Sequence, residues 1–159
     1  MTPRVMAPVL WSIALLAAWL GAAAIVAAVV APAAFEVLPT RTLAGALVGR
    51  VLPVLFWSGA AVGLIVTFLV WRFPLPEWRA GAAFVMVASG LVAQIVIAPR
   101  IERLRVAAGG PIDALDPSSP VRQAFGRLHG LSVACLGAGG IAALLLLTLL
   151  VHLSTRSPR

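Results

Sequence analysis

The sequence predicts an all-α membrane protein, a polytopic four-helix bundle built from two repeated helical hairpins. Three observations predict it. Of 159 residues, 62% are hydrophobic, against roughly 45–50% apolar residues in a soluble domain. A soluble domain of about 150 residues hides only about 68–70% of its unfolded surface, so lipid must cover the rest. Charge is absent from four long runs, and the first and third of these end alike.

From Val5 to Phe35 no charged side chain occurs, and about 20 apolar residues suffice to cross a bilayer as a helix. The first span is placed at about Leu10 to Ala31. Further uncharged runs cover Val51 to Trp71, Ala80 to Pro99 and Leu128 to Thr155, with the last crossing ending near Leu153. A charge at a helix centre costs roughly 2.5–3.5 kcal/mol, so the runs define the spans. Lipid cannot satisfy an open sheet edge, and the alternating segments of a closed barrel are missing. Arg4 before an apolar stretch resembles a secretory signal, but hydrophobicity continues to Phe35, well past the roughly 7–15 residues of a signal core.

The connections differ. Glu36 to Arg50 carries Leu43, Leu47 and Val51 at helical spacing after Pro39 and Thr40, as a capped helix on the membrane surface would. Arg72 to Arg79 holds two prolines and a tryptophan, a tight turn at headgroup level. The longest loop, Arg100 to Arg127, starts as a charged helical extension, breaks at Gly109, Gly110 and Pro111, and restarts at Ser119 and Pro120, the N-cap and first-turn residues of a new helix. The fourth helix therefore projects beyond the bilayer. The side holding the termini carries Arg4, Arg72, Arg79, Arg156 and Arg159; the other carries Arg41, Arg50, Arg100, Arg103, Arg105, Arg122 and Arg127. The excess predicts cytoplasmic longer connections. Arginine without lysine suits a GC-rich genome, hence a bacterial inner membrane.

The repeat lies in VVAPAAFEVL (Val29 to Leu38) and VIAPRIERL (Val96 to Leu104), each Ala-Pro followed by Glu and Leu. Gly49, Arg50 and Val51 open the second span as Gly126, Arg127 and Leu128 open the fourth. Units with an even number of crossings share an orientation, related by a pseudo-two-fold axis along the membrane normal. The repeat brings Glu36, Arg50, Glu102 and Arg127 together, with Glu36–Arg50 and Glu102–Arg127 as candidate ion pairs.

Within the spans, Gly59 with Gly63, and Gly126, Gly130, Ala134, Ala138 and Ala142, recur every four positions; such ridges let helices approach closely. His129, Ser132 and Cys135 descend another arc of the fourth helix, about 60° apart, and could line one side of a pocket. Gln94 is the strongest polar residue of the third span, with Ser89 nearby.

No chemistry-bearing cluster accompanies them. The chain has no Lys, Tyr or Asn, one Cys, two His and five carboxylates, too few acids and bases for a recognisable enzyme site, so no catalytic residue is assigned. His129 and His152 lie about 35 Å apart along one helix, beyond joint ligation of one haem. Met6, Met86 and Cys135 fall on three helices, a poor copper set. No cofactor is predicted, with haem or copper at His129 as the alternative. Partners are the lipid bilayer and a second copy or another membrane protein. The net charge of +7 is spread over every connection, which suits lipid headgroups rather than nucleic acid.

Phe125 to Gly137 (FGRLHGLSVACLG), Leu38 to Trp57 (LPTRTLAGALVGRVLPVLFW), Ala98 to Arg100 and the Trp19-containing first span together resemble the transmembrane protein 205-like family. The most specific portion is His129, Gly130, Leu131 and Ser132 with Cys135; Leu38, Pro39, Thr42, Arg50 and Pro53 carry a second pattern. Where relatives often have Asn, this chain has Leu136. The resemblance implies a four-span protein without established enzyme activity, with a eukaryotic relative linked to platinum-drug resistance and a distant similarity to copper-resistance and haem-associated proteins. The resulting expectation is a membrane protein of unknown activity serving as an interaction or assembly module. Its alternatives are a haem or copper protein, and a small-solute transporter with a hydrated cavity reaching Gln94 and Ser132.

Overall fold

The computed structural model describes residues 3–71 and 78–155, which form four long helices and no strand. Helix α1 comprises Pro3–Ile25, a π-helical stretch Val26–Val30 and Ala31–Val37. Helix α2 is Arg41–Val70. Helix α3 comprises Trp78–Leu91, a second π-helical stretch Val92–Ile97 and Ala98–Ala108. Helix α4 is Pro120–Thr155, preceded by a 3-10 turn Ile112–Ala114. All four are long and apolar enough to cross a membrane. Residues 72–77 of the tight turn, the Arg4 side chain, and Arg156 and Arg159 lie outside the described residues.

Both π-helical stretches sit immediately before an Ala-Pro pair, Ala31-Pro32 and Ala98-Pro99. Proline has no N–H for the carbonyl four residues back, and its ring presses on that carbonyl. Widening the preceding turn relieves the crowding. The same defect at the same place in both hairpins carries the internal repeat into three dimensions.

The surface helix expected between Glu36 and Arg50 is instead the first part of α2. Thr40 caps it, its hydroxyl accepting from the Leu43 N–H at 3.2 Å, and the helix then runs unbroken through Pro53. Leu43 and Leu47 are exposed, while Ala44 and Val48 are buried against Ala34. Small side chains let α1 and α2 close together there, so packing sets the helix direction. The helices consequently overrun the expected spans at this end: α1 reaches Val37 and α3 reaches Ala108. Gly109, left-handed at φ 62°, stops α3.

In the half of the bundle near the termini, α1 packs on α2, α2 on α3, α3 on α4 and α4 on α1. Leu16, Val66, Met86 and Leu150 fill the centre. Trp19 locks it, its buried indole N–H donating to the Leu55 carbonyl at 2.9 Å. A Cβ on Gly59 would lie 2.7 Å from the Trp19 ring, one on Gly63 2.8 Å from Val87, and one on Gly90 2.8 Å from the Phe56 carbonyl oxygen. Gly59 and Gly63 thus pack as the sequence predicts. Gly126 and Gly130 make no such contact within the chain: a Cβ on either meets nothing within 4 Å. The buried stripe of α4 is Gly139, Ala142, Ala143, Leu146 and Leu150, which turns the upper glycines outward.

The long connection is tied locally. Arg122 donates to the Leu115 carbonyl at 2.6 Å. The Asp116 carboxylate accepts from the Ser118 hydroxyl at 2.5 Å and its N–H at 2.8 Å.

Gly90→Ala is expected to destabilise the protein in detergent by about 1–3 kcal/mol, because a backbone carbonyl cannot yield to the new methyl. Gly130→Ala is expected to be neutral or to stabilise by about 0.5–1 kcal/mol; thermal unfolding midpoints decide both. The Ser118 hydrogen bonds, hydroxyl first, hold the Asp116 carboxyl below its ordinary value of 3.8. The capped turn is therefore fully formed above pH 3.8 and is lost as pH falls through the lower, folded-state value. The Ser118 amide resonance should titrate with a midpoint under 3.8; a higher midpoint contradicts the capped turn.

Candidate functional site

Above the Phe56–Gly90 contact the bundle parts. Beyond its π-helical stretch α1 packs on α2, and beyond its own α3 packs chiefly on α4. The separation leaves a cleft of about 630 Å³, within the roughly 300–1,000 Å³ of small-molecule sites. Along α2 its lining runs from Arg41 to Phe56, fifteen residues or about 22 Å.

The two walls differ. On α2, below Arg41 and Thr42, the lining is Gly45, Ala46, Val48, Gly49, Leu52, Pro53 and Phe56, smooth and apolar. Opposite, α3 and α4 supply the polar side chains of Gln94, Glu102, Arg105, His129 and Ser132, set among Ala93, Ala98, Pro99, Ile101 and Phe125. Arg105 crosses between the walls. Helical side chains lean toward their own N-terminus, so from α3 it dips into the cleft, and its guanidinium lies 3.5 Å from where a Gly49 Cβ would be. It pairs with Glu102 at 3.7 Å and lies over the Phe125 ring, 5.8 Å from the centroid, a cation–π contact. Phe125 in turn stacks on His129 at 6.2 Å, with 5° between the planes. Pro53 cannot donate to the Gly49 carbonyl, so a backbone acceptor is freed on the apolar wall close to Arg105. Such a freed group is tolerated at membrane depth only where it meets protein or a water-filled cavity.

Helical hydroxyls elsewhere are satisfied by their own helix. Ser12, Ser58, Thr67, Ser89, Thr148, Ser154 and Thr155 each donate to a carbonyl three or four residues back. Among the described residues within the helices, Ser132 and Thr42 alone lack that bond, and both line the cleft. Gln94, half-buried, also finds no partner among the described residues. It projects from the second π-helical stretch, where the wider turn sets it against the cleft.

Of the residues singled out in the sequence, the structure brings His129, Ser132, Gln94 and Glu102 to one cleft. Cys135 lies a turn below, half-buried and off the lining. Glu36, Arg50 and Arg127 are also off it, and neither expected ion pair forms: Glu102 binds Arg105, three residues along its own helix, instead of Arg127. Arg41, Gly49, Arg105, Asp113 and Phe125 were not singled out. The Glu102 to Arg105 spacing was the one sequence signal available for any of them.

The donor set does not favour copper. His129 is the lone His, Cys or Met on the lining, and no group of three His, Cys, Asp or Glu converges among the described residues. A haem there would have one axial ligand, the ring already stacked on Phe125.

No curated protein and no solved structure matches the chain. The model of a family described as a domain of unknown function, DUF4149, matches residues 14–109, covering most of α1, all of α2 and α3, and both Ala-Pro sites, while α4 with His129 and Ser132 lies beyond it. The chain, an integral membrane protein by its four helices, therefore belongs to the DUF4149 family.

Proposed function

We propose that this protein binds a small amphiphilic ligand in the cleft between its two hairpins, as a carrier must, and that the cleft rather than an assembly surface is the seat of its activity. The observation that carries this reading is the Ser132 hydroxyl. It lies at membrane depth without the intrahelical bond that other hydroxyls make, opposite an apolar wall and near the unpaired Gln94 amide. Polar groups left without partners in hydrocarbon are costly, and water or a ligand would satisfy them. The resemblance to the transmembrane protein 205-like family fits the same reading, because its most specific residues, His129 and Ser132, line the cleft.

We further place the chain in a bacterial inner membrane with the two longer connections in the cytoplasm, on the seven arginines they carry against five on the other side. The cleft then opens to the cytoplasmic side.

In a Cys135→Ala background, Ser132→Cys is expected to react readily with a membrane-impermeant maleimide in proteoliposomes. Ala143→Cys, fully buried below the cleft floor, is expected to stay unlabelled. An unreactive Ser132→Cys protein removes the hydrated cleft and with it the reading. Reporter fusions at Pro111 and at the C-terminus test the orientation, and a periplasmic signal from Pro111 reverses it.

A further inference from the structure

The charges at the mouth of the cleft identify the class of occupant. Four charged side chains line it: Arg41, Glu102, Arg105 and Asp113. Glu102 and Arg105 engage each other. Arg41, in the first turn of α2, and Asp113, in the 3-10 turn of the long connection, have no side-chain partner among the described residues. The mouth therefore offers one free cation and one free anion, with no net charge. A purely anionic headgroup would meet the Asp113 carboxylate, which forms no ion pair among the described residues although Arg122 donates to the Asp113 backbone carbonyl at 3.5 Å, and a cationic one would meet the Arg41 guanidinium. A zwitterion meets both.

The dimensions point to where such a zwitterion comes from. The cleft is about 22 Å deep, and half of a bilayer of about 40–45 Å including headgroups is about the same. It runs from headgroup level to mid-membrane with the polarity of one leaflet: charged at the mouth and, along α2, apolar below. Gly45 and Gly49 leave that wall without projecting side chains. The upper part of α1 packs on α2 and does not close against α4, so the long side of the cleft is open to lipid, with Phe35 51% exposed at its edge. At about 630 Å³ the cleft has room for a headgroup and one acyl chain, while a second chain stays in the bilayer.

We propose that the cleft holds a zwitterionic phospholipid bearing a primary ammonium group, drawn from the adjoining leaflet, with its phosphate at Arg41, its ammonium at Asp113 and one chain along the α2 wall. This rests on the cleft being a ligand site and names its occupant. Guanidinium matches phosphate oxygens with paired donors. An ammonium N–H can donate to the Asp113 carboxylate, which a quaternary choline cannot do. Ser132 and His129, below the mouth, supply donors for the ester oxygens.

The test is native mass spectrometry of the full chain released from nanodiscs of equal parts phosphatidylethanolamine, phosphatidylcholine and phosphatidylglycerol. The wild type should retain one phosphatidylethanolamine in preference to the others. Arg41→Gln should lower its retention about tenfold, the loss of one charge-assisted hydrogen bond. Asp113→Asn should move the preference to phosphatidylglycerol. Arg103→Gln, on an exposed arginine off the lining, should change nothing, and unchanged thermal midpoints show that the variants fold. Preference for phosphatidylglycerol or equal retention of phosphatidylcholine by the wild type overturns the occupant, as does a preference indifferent to Arg41 and Asp113. Absence of retained lipid while Ser132→Cys still labels also overturns the occupant and leaves the cleft as a site for another ligand. Absence of both retained lipid and labelling overturns the two readings together.

Discussion

The structure depends on what two prolines cannot do in hydrocarbon. Pro32 and Pro99 each leave a carbonyl without its usual donor, and an unsatisfied backbone group in lipid costs several kcal/mol. A π-helical turn before each, in which the Ala31 N–H reaches back to the Val26 carbonyl and the Ala98 N–H to the Ala93 carbonyl, widens the helix where the proline ring would press and shifts the phase of the helix beyond it. The helix faces that close the ring near the termini are no longer the faces presented above the turns. Each hairpin stays paired internally while the two hairpins separate. A tight lower bundle and an open upper one are thus produced by the same pair of backbone defects.

The lower half must be well fixed for the upper half to stay open. Without a hydrophobic drive between helices in lipid, close packing and hydrogen bonds hold them. Gly59, Gly63, Gly90 and Gly139 each sit where a Cβ would meet a neighbour at 2.8 Å or less, so the helices pack closely there, with backbone against backbone at Gly90. Trp19 adds a buried hydrogen bond across α1 and α2. These contacts all lie at or below the cleft floor, so the hairpins diverge above an anchored base. The walls can separate without loosening the fold.

The fold class and the spans were legible because charge is excluded from the bilayer centre, and that exclusion is written directly as uncharged runs. Helix ends were less legible: charges mark the headgroup level, whereas α2 begins at Arg41 because Ala44 and Val48 pack on Ala34. The spacing of Leu43 and Leu47 gives a helix but not its continuation into the second span. The direction of the stripe through Gly126 and Gly130, which makes no contact within the chain, is not legible for a related reason. Periodicity identifies a face of small residues but not the direction in which it points, and the phase of α4 is set lower down by Ala142, Leu146 and Leu150. Of the site, the arc from His129 to Ser132 was visible on one helix. Its meeting with Gln94 was not, because the π-helical turn that sets Gln94 against the cleft breaks the 3.6-residue rule by which faces are assigned.

The two hairpins share a π-helical stretch before an Ala-Pro pair but differ in chemistry, and the difference makes the site one-sided. After its Ala-Pro the first repeat continues with small and apolar residues into the smooth α2 wall. After its own the second continues with Arg-Ile-Glu-Arg-Leu-Arg and then the Phe125, His129, Ser132 series. Two identical apolar walls in lipid would have no reason to remain apart, since acyl chains and leucines are equally good neighbours. Two polar walls would draw water deep into the membrane at a large desolvation cost. One wall of each kind gives a cleft whose closure would set the Gln94 and Ser132 groups against mostly apolar side chains of α2. On the reading proposed above, such a cleft suits an occupant with both an apolar side and a polar edge.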